Sequence, residues 1–544
     1  MKRAVSLFLV AALAGSLLAG CSRNGMSSDT EKDGETPADM TEIVLSDSGI
    51  TVDGQPVSTD ETAAVYTARD IVYYEDGQDF TYGAGSESDA HSQEEADGHT
   101  VVHITQPGTY SLSGTLSAGQ VAVDLGKDAE DDPDAVVTLF LNGVDITCTV
   151  APAIIFNRVY ECGSDDAETA SETADTTAAG ANVIIADGTE NNVTGSYVAK
   201  IYKPETVTLN DDGTAVAEAK KLYKYDGALY SKMSMNVDGG ALGTSVLNIK
   251  ADNEGLDSEL HLTINGGNIN ILAGNDGINT NEDGVSVTTI NGGTLNVQVT
   301  GETGEGDGID SNGWIVVNGG TVISSACSDS TDSGLDSDNG IYINGGTVVA
   351  SGNMYDAVDG GSRTCAVFQF AQKQSGGQTY TLKNAAGDTV LEMTLANDFQ
   401  YLVVSSPDLT KGDYTLWQGD TQLGGSTGSV GGPGGGMGRP DGAQPPQDGE
   451  TPSELPDREA PEQGNAPDGQ NGRPDGTPPD GVPGENSGSN GQTTPEPPAD
   501  GQRPTGGPNG DVGSGDDSAS ATERSATFTI QIGSNQFVNV GTVE

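Results

Sequence analysis

Ile264-Asn265-Gly266-Gly267 opens a series of four similar stretches in the middle of the chain. The others are Ile290-Asn291-Gly292-Gly293, Val317-Asn318-Gly319-Gly320 and Ile343-Asn344-Gly345-Gly346. Their asparagines follow one another after 26, 27 and 26 residues, and Val237-Asp238-Gly239-Gly240 is a degenerate earlier copy. Self-similarity at a fixed period of this length is typical of a fold built from stacked repeats.

The residues after each copy alternate between aliphatic and polar side chains, as in Ile269 and Ile271 or Leu295 and Val297. Such alternation predicts a strand with one buried face. The Asn-Gly-Gly segment predicts a turn, because Gly adopts positive φ without steric cost. No helical period separates the copies. We therefore predict an all-β fold, a parallel β-helix whose coils stack about 4.8 Å apart.

Stacking places the asparagine of each copy above the asparagine of the next. Identical side-chain amides in such a column form hydrogen-bonded ladders. We predict a structural ladder, in preference to ligand contact, for Asn265, Asn291, Asn318 and Asn344.

A second motif, about half a coil away, sets acids or amides around an inward-facing aliphatic residue. Its copies are Glu254-Gly255-Leu256-Asp257, Asp276-Gly277-Ile278-Asn279, Asp307-Gly308-Ile309-Asp310, Ser333-Gly334-Leu335-Asp336 and Asp356-Ala357-Val358-Asp359. Stacked carboxylates repel one another and raise each other's pKa values. A hard cation such as Ca²⁺, which prefers oxygen ligands, relieves this repulsion.

The acidic motif therefore predicts a calcium site. The loop acids Asp329, Asp332 and Asp338 could add ligands, and a solvated acidic surface is the alternative. The predicted metal ligands are Asp257, Asp276, Asn279, Asp307, Asp310, Asp332, Asp336, Asp356 and Asp359.

The charge balance of the 544-residue chain limits its partners. It has 81 Asp and Glu against 23 Lys and Arg, a formal net charge of −58. Binding to nucleic acid or to anionic lipid through a basic patch is disfavoured, because both need clustered cations. We expect a monomer.

The N-terminus predicts export. Lys2 and Arg3 precede an apolar run, which ends in Leu18-Ala19-Gly20-Cys21. Small residues before a Cys resemble the lipobox of bacterial lipoproteins, in which that Cys is lipidated. We expect Cys21 to anchor the protein to the outer face of the bacterial cell membrane, at the cell surface, with no other membrane contact.

Composition and patterning divide the chain into seven segments. The Gly- and Pro-rich acidic stretch near the C-terminus cannot bury enough apolar surface to offset its ordering entropy. The predicted segments are a signal peptide (1–20), a tether (21–40), an N-terminal β cap with the first coils (41–135), the parallel β-helix (136–365), a C-terminal β cap (366–423), a disordered spacer (424–525) and a β-hairpin tail (526–544).

The order of these elements resembles the carbohydrate-binding domain-containing lipoproteins with a right-handed parallel β-helix, a fold similar to that of pectate lyases. The matching stretches, between about 101 and 417, are Gly108-Thr109-Tyr110-Ser111-Leu112-Ser113-Gly114, Leu141-Asn142-Gly143-Val144-Asp145-Ile146-Thr147, Ala228-Leu229-Tyr230-Ser231-Lys232 and the two repeated motifs. The resemblance implies bound calcium at the corner acids and affinity for acidic polysaccharide such as polygalacturonate, without established catalysis. Asn279 departs from the pattern, since it replaces an acid.

Three functions follow from these observations. The first is a non-catalytic module that binds acidic polysaccharide through calcium. The second is a calcium-dependent polysaccharide lyase, which would need a Lys or Arg base beside the metal; Lys250 and Arg363 are the nearest cations in sequence, and Arg363 is the better candidate. The third is a structural or adhesive surface protein that calcium only stiffens.

Overall fold

The computed structural model describes residues 40–240, 242–430 and 524–543. The prediction of an all-β fold is confirmed, since helical structure is limited to the helix α1 (Gln93–Asp97) and the 3-10 turns Ala129–Asp131 and Pro204–Thr206. Within these residues, no helix has the length and apolar character that crossing a membrane requires. The predicted signal peptide, Cys21 and nearly all of the tether and spacer lie outside the described residues.

The first part of the chain forms short and medium-length strands. They are β1 (Met40–Ser46), β2 (Thr51–Val52), β3 (Gln55–Pro56), β4 (Val65–Ala68), β5 (Thr100–Ile104), β6 (Gly108–Leu116), β7 (Gly119–Asp124), β8 (Val137–Thr147), β9 (Ile154–Arg158), β10 (Ala181–Ile185), β11 (Glu190–Gly195), β12 (Val198–Tyr202), β13 (Thr208–Leu209), β14 (Val216–Glu218) and β15 (Lys221–Tyr225).

The repeated region contributes strands of two to six residues. They are β16 (Gly227–Ser231), β17 (Met235–Gly239), β18 (Val246–Ala251), β19 (Glu254–Ser258), β20 (His261–Ile264), β21 (Asn268–Ala273), β22 (Ile278–Thr280), β23 (Val287–Ile290), β24 (Thr294–Val299), β25 (Asp310–Ser311), β26 (Trp314–Val317), β27 (Thr321–Ser325), β28 (Asp336–Ser337), β29 (Gly340–Ile343), β30 (Thr347–Gly352) and β31 (Val358–Gly360).

Three parallel ladders run through the repeats. The first joins β8, β10, β17, β20, β23, β26 and β29 in that order. The second joins β8, β11, β18, β21, β24, β27 and β30. The third joins β7, β9, β16, β19 and β22, and its line is continued by β25 and β28. Each strand therefore pairs with its counterpart one repeat away.

Register follows the aliphatic residue that precedes each Asn-Gly-Gly turn. Ile264 lies beside Ile290, Ile290 beside Val317, and Val317 beside Ile343. All four side chains are buried. Each contributes roughly 1.5–3 kcal/mol through burial, and a slip of one residue would turn the whole row toward solvent.

The second glycine of each turn has no room for a side chain. Gly293, Gly320 and Gly346 have φ values of 83°, 77° and 72°. A Cβ atom on each would lie 2.5–2.7 Å from the carbonyl oxygen of the equivalent glycine one repeat earlier. The close stacking of the turns therefore requires glycine at this position.

The C-terminal strands build a second, aromatic core. They are β32 (Cys365–Gln374), β33 (Thr379–Asn384), β34 (Thr389–Thr394), β35 (Phe399–Ser405), β36 (Gly412–Gln418), β37 (Thr421–Thr427), β38 (Phe528–Ile530) and β39 (Ser534–Thr542). Phe368 stacks on Phe537 and meets Phe528 edge-on.

The tail pairs with the body of the fold. Strand β38 pairs with β36, and β39 pairs with β32 and β37. Strand β37 continues beyond residue 424, where the sequence analysis placed the start of the spacer, because Gly424 and Ser426 pair with residues of β39. The ordered C-terminal region is thus longer than composition indicated.

We expect Gly293→Ala to lower the free energy of unfolding by about 1–3 kcal/mol more than Gly304→Ala. Both glycines have positive φ, 83° and 98°, so both variants carry backbone strain. A Cβ at Gly293 meets the Gly267 carbonyl oxygen at 2.5 Å, whereas one at Gly304 meets nothing within 4 Å. Chemical denaturation measures the difference, and equal losses would contradict the close-stacking account.

Candidate metal centre

The third ladder brings the second acid of successive motifs into one column. Asp257 lies beside Asn279, and Asp310 lies beside Asp336. The bridge between Ile278 and Ile309 joins the two pairs in the same line. The residue before each of these four is a buried aliphatic side chain, which sets the direction of its neighbour.

Asp359 does not continue this column. Strand β31 pairs with β29 of the first ladder, and the Ile341 N–H donates to Asp359 Oδ2 at 3.1 Å. The last copy of the motif follows after 23 residues, from Asp336 to Asp359, where the preceding interval is 26. The interval alone is not the cause, because Asn279 follows Asp257 after only 22 residues and stays in the column. The pairing of β31 with β29 places Asp359 beside a different ladder, on an exposed part of the surface.

Three carboxylates meet inside the fold at Asp226, Glu254 and Asp257. Their nearest oxygens all lie within 4.8 Å of one another, and the residues are 7%, 5% and 0% exposed. Burial raises the pKa values of Glu254 and Asp257 well above their usual range, and the neighbouring carboxylates raise them further. Lys224 Nζ, 2.7 Å from Asp226 Oδ2, is the cation paired directly with this cluster.

Amide groups satisfy only part of the cluster. Asn279 Nδ2 donates to Glu254 Oε1 at 3.1 Å, and Asn281 Nδ2 donates to Asp257 Oδ1 at 2.7 Å. Glu254 Oε2, Asp257 Oδ2 and Asn279 Oδ1 are buried without a hydrogen-bond partner. An unsatisfied buried polar group costs about 1–3 kcal/mol, and more if it is charged.

These three oxygens are the ligand type that a hard cation takes. Ca²⁺ binds six to eight carboxylate, amide and carbonyl oxygens in a flexible shell. Asp226, Glu254, Asp257 and Asn279 together offer such oxygens, and a divalent charge would offset their mutual repulsion. The residues present therefore fit a calcium ion.

Further along, the acids in and beside this column are half-buried. Burial is the main cause that raises the pKa of Asp276 to about 7, of Asp310 to about 8 and of Asp356 to about 7. Nearby carboxylates add to each shift: Asp332 for Asp276, Asp276 and then Asp336 for Asp310, and Asp336 for Asp356. A carboxylate column with these values titrates near neutral pH when no cation is bound.

Several of these acids also brace neighbouring loops. The Asp307 N–H donates to Asp276 Oδ1 at 2.6 Å, and the Ser333 N–H donates to Asp307 Oδ1 at 2.5 Å. The Gly306 N–H donates to Asp332 Oδ2 at 2.6 Å. This bracing was not predicted, and it gives the acids a structural use alongside any metal binding.

Sequence comparison shows what kind of protein the stacked region resembles. Residues 97–365 match the family model of carbohydrate-binding domain-containing proteins. The matched residues include the strands of all three ladders.

Two individual proteins are similar to this chain. A carbohydrate-binding domain-containing protein of Acetivibrio thermocellus is 28% identical over 172 residues, 32% of this chain and 45% of that protein. The chain thus matches less than half the length of this relative. The solved structure of the polysaccharide lyase-like protein from C. thermocellum, a gadolinium derivative, is 20% identical with a TM-score of 0.30, and covers 57% of this chain and 93% of its own.

The centre includes residues that the sequence analysis did not select. Glu254 belongs to the first copy of the acidic motif but was not among the predicted ligands, and Asp226 and Lys224 were missed. The sequence signal that could have identified Asp226 is Asp226-Gly227, an acid followed by Gly as in the acidic motif, 28 residues before Glu254. Lys224 belongs to none of the repeated motifs, because it lies in β15, which pairs with β12 outside the three ladders.

The two cations considered as lyase bases lie elsewhere. Lys250 is an exposed residue of β18 in the second ladder. The backbone N–H of Arg363 donates to the Ile343 carbonyl at 3.1 Å, and the Nε atom of the Arg363 side chain is buried without a hydrogen-bond partner.

The predicted asparagine column forms a hydrogen-bonded series on the surface. Asn291 donates to Asn265 at 2.9 Å, Asn318 to Asn291 at 2.9 Å, and Asn344 to Asn318 at 3.0 Å. A second asparagine ladder, which was not predicted, joins the side chains of Asn192, Asn248, Asn270 and Asn296 through hydrogen bonds of 2.9–3.0 Å.

In the presence of a chelator, we expect the free energy of unfolding to fall as pH rises from about 4 to about 8. Asp276, Asp310 and Asp356 have folded-state pKa values of about 7, 8 and 7, above the ordinary value of 3.8. The folded state holds these protons more tightly, so the advantage is complete below pH 4 and is lost through this window. In the Asp310→Asn variant, the fall in the free energy of unfolding between these pH values should be smaller by about 1–2 kcal/mol.

Denaturant unfolding at several pH values measures this slope. Asp252→Asn, which changes an exposed acid next to β19, is the matched control and should leave the slope unchanged. Parallel curves for the Asp310 variant and the unmodified chain would contradict the expectation.

Proposed function

We propose that this chain is an exported, surface-anchored and non-catalytic carbohydrate-binding protein. In this proposal its ladders form a right-handed parallel β-helix that holds calcium and binds acidic polysaccharide, such as polygalacturonate, through it. The family match over residues 97–365 supports carbohydrate binding. The lipobox-like sequence that ends at Cys21 supports the surface anchor.

The observation that carries the calcium part is the set of three buried, unpartnered oxygens at the metal centre. Glu254 Oε2, Asp257 Oδ2 and Asn279 Oδ1 lack hydrogen-bond donors, although the adjacent amides satisfy the other oxygens of the same carboxylates. A cation there would join β19 to β22 and to Asp226, which precedes β16. Its first effect would be to stabilise the third ladder.

The half-buried acids in and beside this column suit a different role. Asp307, Asp310, Asp336 and Asp356 are partly accessible to solvent. A calcium ion held there would keep some of its six to eight coordination positions for an outside ligand. Uronate carboxylates are suitable ligands, and the bound cation would overcome the repulsion between an acidic polysaccharide and a chain of net charge −58.

A lyase remains the second candidate, with Lys224 as its base. Burial lowers the pKa of Lys224, but the charges of Asp226 and its neighbouring carboxylates outweigh burial and raise that pKa, which works against this role. The Lys224 Nζ atom lies 2.7 Å from Asp226 Oδ2, beside the metal centre. A calcium-dependent lyase uses a basic side chain to remove the proton next to the uronate carboxylate. Cleavage would release unsaturated uronides, whose ultraviolet absorbance separates this activity from binding.

The test follows retention of the full chain on polygalacturonate together with ultraviolet absorbance. We expect retention in calcium, release in chelator and no new absorbance. Retention that persists in chelator would exclude the calcium route, and rising absorbance that Lys224→Ala abolishes would establish a lyase. Calcium-dependent stability without retention on any polysaccharide would leave a structural surface protein.

The buried centre is tested separately by the double variant Glu254→Gln, Asp257→Asn. Calcium should raise the Tm of the unmodified chain by several degrees, since a ligand bound only by the folded state stabilises it. The double variant should lose at least half of that rise. Asp252→Asn, an exposed acid nearby, should keep it. An undiminished rise in the double variant would remove the buried carboxylates from the metal site.

A further inference from the structure

The outward face of the second ladder carries a groove that the acidic column does not touch. Strands β11, β18, β21, β24 and β27 form its floor, and Thr394 and Ala396, at and just beyond the end of β34, form a wall. The groove has a volume of about 500 Å³. It is large enough for several units of a polymer.

One row of the floor is the second asparagine ladder. Asn192, Asn248, Asn270 and Asn296 are register partners on adjacent strands, and each of the last three donates to the one before it. An amide has two N–H donors and two acceptor positions on its oxygen. A ladder uses one of each. Asn248 also donates to Glu190 Oε1 at 3.2 Å, whereas Asn270 and Asn296 each keep a donor and an acceptor for a ligand.

The adjacent row combines apolar and polar groups. Lys250, Leu272 and Gln298 follow one another across the strands, between Thr194 at one end and Ser325 at the other. Leu272 is one of the exposed large hydrophobic residues of the described chain, at 36%. It offers an apolar surface flanked by hydrogen-bonding side chains.

The charge of the groove differs from that of the whole protein. None of its lining residues is an acid, and Lys250 is the charged one among them. The chain as a whole has 81 acids and a net charge of −58. An acidic polymer in the groove would meet one cation and the repulsive field of the remaining protein. An uncharged polymer would not experience this repulsion.

We propose that this groove binds an extended, uncharged polysaccharide chain that runs across the strands, parallel to the stack. The amide rows repeat about every 4.8 Å, a distance close to the length of one sugar unit in an extended chain. Each unit can therefore present its hydroxyls to one asparagine and its C–H face to the neighbouring row. The inference rests on carbohydrate binding as proposed above, but it requires no metal.

Affinity electrophoresis of the full chain in gels that contain xyloglucan, glucomannan or mixed-linkage β-glucan tests the inference. We expect at least one of these polymers to retard the protein equally in calcium and in chelator. Leu272→Asp and Asn270→Ala should each weaken the retardation about tenfold, the effect of losing one or two contacts.

Asn318→Ala is the matched control, because it removes one rung of the exposed ladder outside the groove. Its Tm loss should equal that of Asn270→Ala, while its binding stays unchanged. Equal binding by all variants, or loss of binding in chelator, would overturn the groove assignment.

The outcomes also separate this inference from the proposed function. Calcium-dependent retention on polygalacturonate without retardation by any of the three neutral polymers would overturn the groove alone. Retardation by a neutral polymer that Leu272→Asp weakens, without retention on polygalacturonate, would support the groove and contradict the calcium route.

Discussion

Strand register is the constraint on which the rest of this structure depends. Inward aliphatic residues such as Ile264 and Ile290 must lie side by side to remain buried. The stacked glycines of the turns add a steric requirement, since a side chain at Gly293 would strike the preceding turn. Once these two conditions are met, every other residue of a repeat lies beside its counterpart one repeat away.

This arrangement has opposite consequences for different side chains. Asparagines beside asparagines form ladders, because an amide both donates and accepts a hydrogen bond. Carboxylates beside carboxylates can only accept, so they repel one another and lose water as they are buried. The same register thus yields two stabilising amide ladders and one acidic column that requires protons, amide partners or a cation. Asn279, where the motif has an acid in other copies, supplies such an amide partner to Glu254.

The two kinds of column lie on different ladders and offer different chemistry to a polysaccharide. The acidic column, with Asp310 and Asp336 at its accessible part, suits a polymer that shares a metal ion. The groove over Asn248, Asn270 and Leu272 suits a polymer without charge. One scaffold can carry both because each outward row is independent of the others, provided that the buried aliphatic rows are kept.

The sequence alone determined what repeats at a fixed interval. The all-β class and the asparagine series from Asn265 to Asn344 follow from a spacing of 26 or 27 residues, since parallel pairing converts sequence spacing into contact. The acidic corners recur at the less regular intervals of 22, 31, 26 and 23 residues, and their shared pattern of acid and aliphatic residue identified them. Tertiary structure decided what departs from these patterns. Asp226 and Lys224 lie next to and in β15, which pairs with β12 outside the three ladders. Asp359 lies beside another ladder, and the wall of the groove comes from residues 394–396 at and beyond the end of β34. Such contacts join segments with no common period, so only the folded chain brings them together.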